Sequence, residues 1–248
     1  MCSIQRRSGA LATGGTGADT TTTVRSVTEL ADVMRTSFAC REFTDDPVPD
    51  QDVTAILDLA RFAPSGGNRQ GWKVVVVREQ ATKSRLVDLC LPGLRLYMAQ
   101  RRVGENPWNT IEPTSVDPAT VDGSDRTVEW FKVLEQAPVL LIVGVDLRLV
   151  ASTDKELDRI GVVSGASVYP FVQNILLAAR DRGYAGSLTT FLAAAEQEVQ
   201  QLLGFPPEVA VVAMVPLGRP RTVLTKLTRK PVPEFATLER FDGPTLGA

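Results

Sequence analysis

The chain has 248 residues, 44% of them apolar, enough for one large domain or two small ones with a core that needs no metal or disulfide staple. Lys and Arg total 27 against 29 Asp and Glu, a net charge of −2, which gives no support to a general nucleic-acid binder. There is no histidine, and that removes Ser-His-Asp and Cys-His catalysis, histidine-ligated zinc or haem, and an imidazole base.

Cys2, Cys40 and Cys90 are too few and too far apart for a disulfide scaffold or a four-cysteine zinc site. They suit a reducing, cytoplasmic setting. No run approaches the length of an apolar membrane span, so no membrane association is expected. Arg6 and Arg7 have no apolar run after them, against a signal peptide.

Residues 1–24, rich in Ser, Thr and Gly, read as a flexible tail. The spacing of Val27, Leu30, Val33 and Met34 predicts a helix to about Ser37. A turn-rich link from Arg41 follows, and Asp50 is expected to cap a second helix with Val53, Ile56, Leu57 and Ala60 inward. That helix should stop near Ala63, before Pro64. The loop Pro64–Gly71 leads into Trp72–Val77, whose four valines predict a buried strand. A helix is expected over Ala81–Leu89. Residues 91–127 contain Pro92, Pro107, Pro113 and Pro118 and read as irregular, a lid or substrate loop carrying Tyr97, Met98, Trp108 and Ile111.

Val139–Val145 is the next expected strand. A long helix from about Gly161 to Arg182 would bury Val168, Val172, Ile175 and Ala179, with Pro170 in its first turns or kinking it. Gly183 ends it, and residues 184–188 read as a tight link. A short helix over Glu196–Leu203 should end at Gly204, and Val209–Leu217 is a third strong strand. Beyond it, residues 218–248 read as an extended arm. The domain is expected over 25–235, with a tail at 236–248.

The glycines Gly66 and Gly67 do not make a phosphate loop, because they follow a helix and open a strand. They predict either a tight turn or a close backbone approach to a ligand or to another helix. The amides of Asn68 and Gln70 can donate to and accept from a planar heterocycle. Ser65 has no histidine to activate it as a nucleophile. Arg41 and Arg229 read singly as surface charge, although cations from separate segments could converge on one phosphate. Cys40 reads as an incidental buried thiol despite Arg35 and Arg41 nearby. Residues 183–187 read as a helix cap, or as exposed N–H groups facing a cofactor. No acidic spacing marks a metal site.

Together these segments resemble the FMN-dependent nitroreductase family over about residues 29–233. Ala63-Pro64-Ser65-Gly66-Gly67-Asn68-Arg69-Gln70-Gly71-Trp72 is similar to the family's APSxxNxQPW pattern, with Gly71 in place of its proline. Arg41-Glu42-Phe43, Gln173–Ala179 with Gly183–Ser187, and Pro216–Pro220 followed by Arg229 carry the rest. The resemblance implies an α+β fold: a mixed, mainly antiparallel sheet wrapped by helices, in an intertwined homodimer with FMN at the interface. It implies that flavin N5 carries the chemistry, with no catalytic side chain. Arg41 would meet the pyrimidine side of the flavin or its ribityl chain. Ser65, Asn68 and Gln70 would lie along the cofactor. Gly186 and Ser187 would offer N–H groups near N5 and O4, and Arg229 would hold the phosphate.

Two usual family residues fall here on Ser37 and Ala39, and a third on Leu227. Arg35 is expected to replace the first of these, an arginine, and Lys226 or Lys230 to stand in for a lysine at Leu227. The implied activity is hydride transfer from NAD(P)H through FMN to a nitroaromatic, quinone or activated alkene. The alternatives are a dehalogenase or flavin-consuming enzyme of the same fold, and a flavin-binding protein without turnover.

Overall fold

The computed structural model describes residues 29–247; the tail expected over residues 1–24 lies outside them. The sheet is built around β2, Val139–Asp146, in which all eight residues are buried. Such an unbroken apolar run is what a strand needs when both faces are covered. On one side β2 pairs with β1, Trp72–Val77, and on the other with β4, Val209–Gly218. The two-residue strand β3, Ala185–Gly186, lies along β4, giving the order β1-β2-β4-β3. All of these pairings are antiparallel, and one parallel bridge, Ala39 to Gly186, extends the sheet beyond β3. The expected α+β architecture and mixed, mainly antiparallel sheet are present.

Side-chain alternation along β2 makes two cores. Leu140 and Ile142 join Leu86, Cys90, Leu94, Phe131 and Leu134 on one face. Leu141, Val143 and Val145 join Val53, Ile56, Phe171, Val172 and Ile175 on the other. Each fully buried side chain of this size stabilises by about 1.5–3 kcal/mol. The first face is covered by α3, Gln80–Arg102, and a 3-10 segment, Arg126–Gln136. The second is covered by α2, Asp50–Ala60, and α4, Tyr169–Asp181, with α1, Leu30–Thr36, against α4. The last helix, α5, spans Glu196–Leu203 and ends at Gly204 in the left-handed conformation, as expected.

Several expectations need correction. Helix α3 does not stop at Leu89 but runs through Pro92 to Arg102, so the irregular segment begins at 103. Asp50 does not cap α2: the cap position is Pro49, and the Asp50 carboxylate instead meets Arg78 at 2.7 Å. Helix α4 starts at Tyr169, with Pro170 in its first turn, after a 3-10 segment over Val163–Ser167. Part of the link at 184–188 is strand β3, and β1, expected to be buried, is an edge strand in which only Val77 is buried.

The register fixes what lies at each end of the sheet. Trp72 opposes Val145, so the start of β1 sits at one end. Val139 opposes Leu217, and Leu217 opposes Gly186, so β3 sits at the other. Val139 and Val145 are separated by about 20 Å at roughly 3.3 Å per residue. Among the described residues no helix is long and apolar enough to cross a membrane.

Candidate functional site

At the β3 end the backbone gathers three of the expected site residues. The Cys40 N–H donates to the Gly186 carbonyl at 3.0 Å, which sets Arg41 beside Gly186–Ser187. A Cβ on Gly186 would fall 2.6 Å from the Pro216 carbonyl oxygen, so only glycine permits this close passage of β3 along β4. Arg41 and Ser187 line one pocket of about 450 Å3. Its apolar wall comes from Tyr97 and Met98 of α3, Trp130 and Phe131 of the 3-10 segment, and Phe191. These rings meet edge to face: Tyr97 to Phe191 at 6.0 Å, Phe131 to Phe191 at 5.8 Å, and Trp130 to Phe131 at 5.7 Å. Arg101 also lines the pocket, and no carboxylate does. Among the described residues neither Arg41 nor Arg101 has a side-chain hydrogen bond or ion pair.

Cys40 is no activated thiol. Burial raises its pKa, outweighing the hydrogen bond to the Glu42 backbone and the charge of Arg41. Cys90, inside the first core, is pushed up to about 12 by burial.

Ser65, Asn68 and Gln70 lie at the other end of the sheet, just before β1. The Ser65 hydroxyl accepts from the Gln70 N–H at 3.0 Å, and the Gln70 side-chain amide donates to Asn68 Oδ1 at 3.2 Å. Asn68 and Gln70 have φ of 55° and 50°. Asn tolerates this region readily; Gln does so at a cost. Gly66 makes a close approach, but to the loop residue Ala151 and the 3-10 segment that ends at Ser167, where a ligand or another helix was expected. Its N–H donates to Ser167 Oγ at 3.2 Å, and a Cβ there would meet Ala151 at 2.8 Å. The loop is thus locked while Asn68 and Gln70 stay exposed.

The remaining two are apart from both groups. Arg35 lies in the last turn of α1, exposed, with its guanidinium 3.8 Å from Asp32, and it lines neither the Arg41 pocket nor the small cavity beside it. Arg229 is exposed and donates to the Thr228 carbonyl at 2.7 Å. The arm that carries Arg229 leaves β4 along the Arg41 segment, through Thr44 N–H to Arg219 carbonyl at 2.9 Å and Arg221 N–H to Glu42 carbonyl at 3.1 Å. The structure therefore joins Arg41, Gly186 and Ser187, keeps Ser65, Asn68 and Gln70 as a second cluster, and brings Arg35 and Arg229 to neither.

Sequence reasoning missed Arg101, Trp130 and Phe191. Arg101 lies three or four residues beyond Tyr97 and Met98, one helical turn further along the same face, and was hidden when the helix was ended at Leu89. A larger open groove, about 630 Å3, lies at the Val145 end and is lined mainly by apolar residues such as Val150, Val162 and Val212. It contains none of the expected site residues, and the smaller Arg41 pocket is the better chemical candidate. No cluster among the described residues could hold a metal.

The nitrobenzene nitroreductase of Ectopseudomonas oleovorans is 28% identical over 206 residues, covering 76% of this chain and 86% of that protein. The iodotyrosine deiodinase of Thermotoga neapolitana is 24% identical over 204 residues, covering 82% and 95%. In fold the chain is like a nitroreductase with bound FMN from Desulfitobacterium hafniense, with a TM-score of 0.55 and 22% identity over 81% of this chain and 94% of that one. The Nitroreductase family model matches residues 34–219, three-quarters of the chain, and with the sheet and its two end clusters this means that the chain belongs to the Nitroreductase family.

Proposed function

We propose that two copies of this chain bind FMN between them and pass electrons from NAD(P)H to a small organic acceptor. The observation that carries this reading is the split of the site. Arg41, Gly186 and Ser187 stand at one end of the sheet and Ser65, Asn68 and Gln70 at the other, separated by about the 20 Å length of β2. A two-fold pairing of copies would set one chain's first cluster against its partner's second.

The pocket suits the cofactor. It has two cations, no acid and aromatic walls, which fits a planar ring system that becomes negatively charged when reduced. FMN, when bound, supplies hydride transfer at its N5. Arg41 would oppose the negative charge of the pyrimidine side. The backbone at Gly186–Ser187 would offer N–H donors, and the exposed amides of Asn68 and Gln70 would read the ring edge. Arg229 would close on the phosphate from the arm, with Lys226 or Lys230 and Arg35 supplementing it. Water or the acceptor itself can supply protons, so the lack of histidine is no obstacle. Free thiols at Cys40 and Cys90 and the use of reduced nicotinamide both suit the cytoplasm.

The test is the visible spectrum of freshly purified protein, with identification of the cofactor released on denaturation and of the mass in solution. A dimer with about one FMN per chain that oxidises NAD(P)H in the presence of a nitroaromatic, quinone or activated alkene supports the reading. A colourless chain that takes up no added FMN overturns it. Bound FMN without turnover would leave a flavin-binding protein. Dehalogenation is the second reading, favoured by the likeness to the deiodinase along 95% of that protein; halide release from a halogenated phenol separates it from ordinary reduction.

A further inference from the structure

We propose that the acceptor is an aromatic anion and that Arg101 receives its negative group. This rests on the FMN reading above and names the substrate class for the same pocket. Tyr97, Trp130 and Phe191 supply aromatic surface for a flat ring. The pocket carries two guanidinium groups from separate elements and no carboxylate to balance them.

Arg41 is placed for the flavin, because the residue before it is hydrogen-bonded to Gly186. Arg101 comes from the last turn of α3. A cation there can simply complement the helix dipole, but the next residue, Arg102, is already fixed at that terminus. Its guanidinium contacts Asp125 Oδ2 and Thr127 Oγ1, both at 2.7 Å. Arg101 has no such partner. Arg101 is exposed, so a neutral aromatic acceptor would satisfy the rings and leave this guanidinium to water. A carboxylate or phenolate on the ring would pair with it, a carboxylate in bidentate fashion.

The test uses the FMN-loaded protein without reductant and compares 4-nitrobenzoate with 4-nitrobenzamide, a neutral analogue of similar shape. Binding is read from the perturbation of flavin absorbance. The wild type should prefer the benzoate. In Arg101→Ala the benzoate Kd should rise roughly 10-fold or more, the loss expected for a charged hydrogen bond. The benzamide Kd and the FMN Kd should stay within about 2-fold, inside the usual spread for an uninvolved side chain. Arg101→Lys should recover part of the benzoate affinity.

Equal affinities for the two ligands in the wild type, or equal weakening in Arg101→Ala, overturn the proposal. A raised FMN Kd in Arg101→Ala assigns the residue to the cofactor, which overturns the proposal and leaves the FMN reading standing. If the wild type takes up no FMN, tryptophan fluorescence gives the second readout. Arg101-dependent quenching by 4-nitrobenzoate then keeps the anion pocket and removes the FMN reading; no quenching overturns both.

Discussion

Asp154 ties the segment before α4 into a fixed turn. It is 3% exposed and accepts from the Val162 N–H at 2.7 Å, from Arg159 at 2.8 Å and from the Val163 N–H at 3.2 Å. The Val162 hydrogen bond, followed by that from Arg159, holds its pKa down to about 2, against an ordinary 3.8. A depressed carboxylate contributes its full stability above the unfolded pKa and loses it as pH falls through the folded one. The contribution of Asp154 is therefore complete above about pH 4 and lost by about pH 2. Asp154→Asn should lower the urea midpoint at pH 7 and flatten its fall between pH 4 and pH 2. An unchanged acid limb would show that the turn is held by something else. At this scale the sequence singles out Asn68 and Gly186 by motif. It does not single out Asp154 or Arg101, because the neighbours that set them apart are supplied by folding.

Among the elements, α3 shows most clearly how a residue rule yields to packing. Pro92 lacks the N–H that would bond the preceding turn and ordinarily breaks a helix at a cost of about 3 kcal/mol. Yet Leu86, Cys90 and Leu94, four residues apart, form one buried stripe that passes it on the same face. Pro92 itself is exposed, so its ring disturbs little else. Pro92→Ala should raise stability by about 1–3 kcal/mol, seen as a higher urea midpoint, with FMN content unchanged. A loss of stability would mean that the Pro92 ring itself helps to seat α3. The stripe of apolar side chains was present in the sequence, but four prolines across 92–118 masked it. Strands β2 and β4 were readable because their valine and leucine runs fit a covered sheet, whereas the valines of β1 mark a strand that lies at the sheet edge with only Val77 buried. Strand β3 was not, because two residues carry no periodicity and their place depends on Leu217 and Gly218 opposite. Helix α5 was read to the residue because its end is a local event, a glycine at φ 72°.

For the whole molecule, the decisive property is that antiparallel register puts the two clusters at opposite ends of one sheet. That arrangement was not legible in the sequence, which shows motifs in order but not the direction in which the strands carry them. It has a genetic consequence. In the proposed dimer, Arg41→Ala would spoil one half of every site and Asn68→Ala the other half, so each variant alone should bind FMN weakly. A mixed dimer gathers both injuries into one site and leaves the other whole. Equal amounts of the two variants, refolded together from urea, should regain roughly a quarter of the wild-type FMN if copies pair at random. No recovery on mixing would mean that each chain builds its site alone. If recovery occurs, two differently damaged alleles in one cell can complement each other, although either alone is inherited as loss of function.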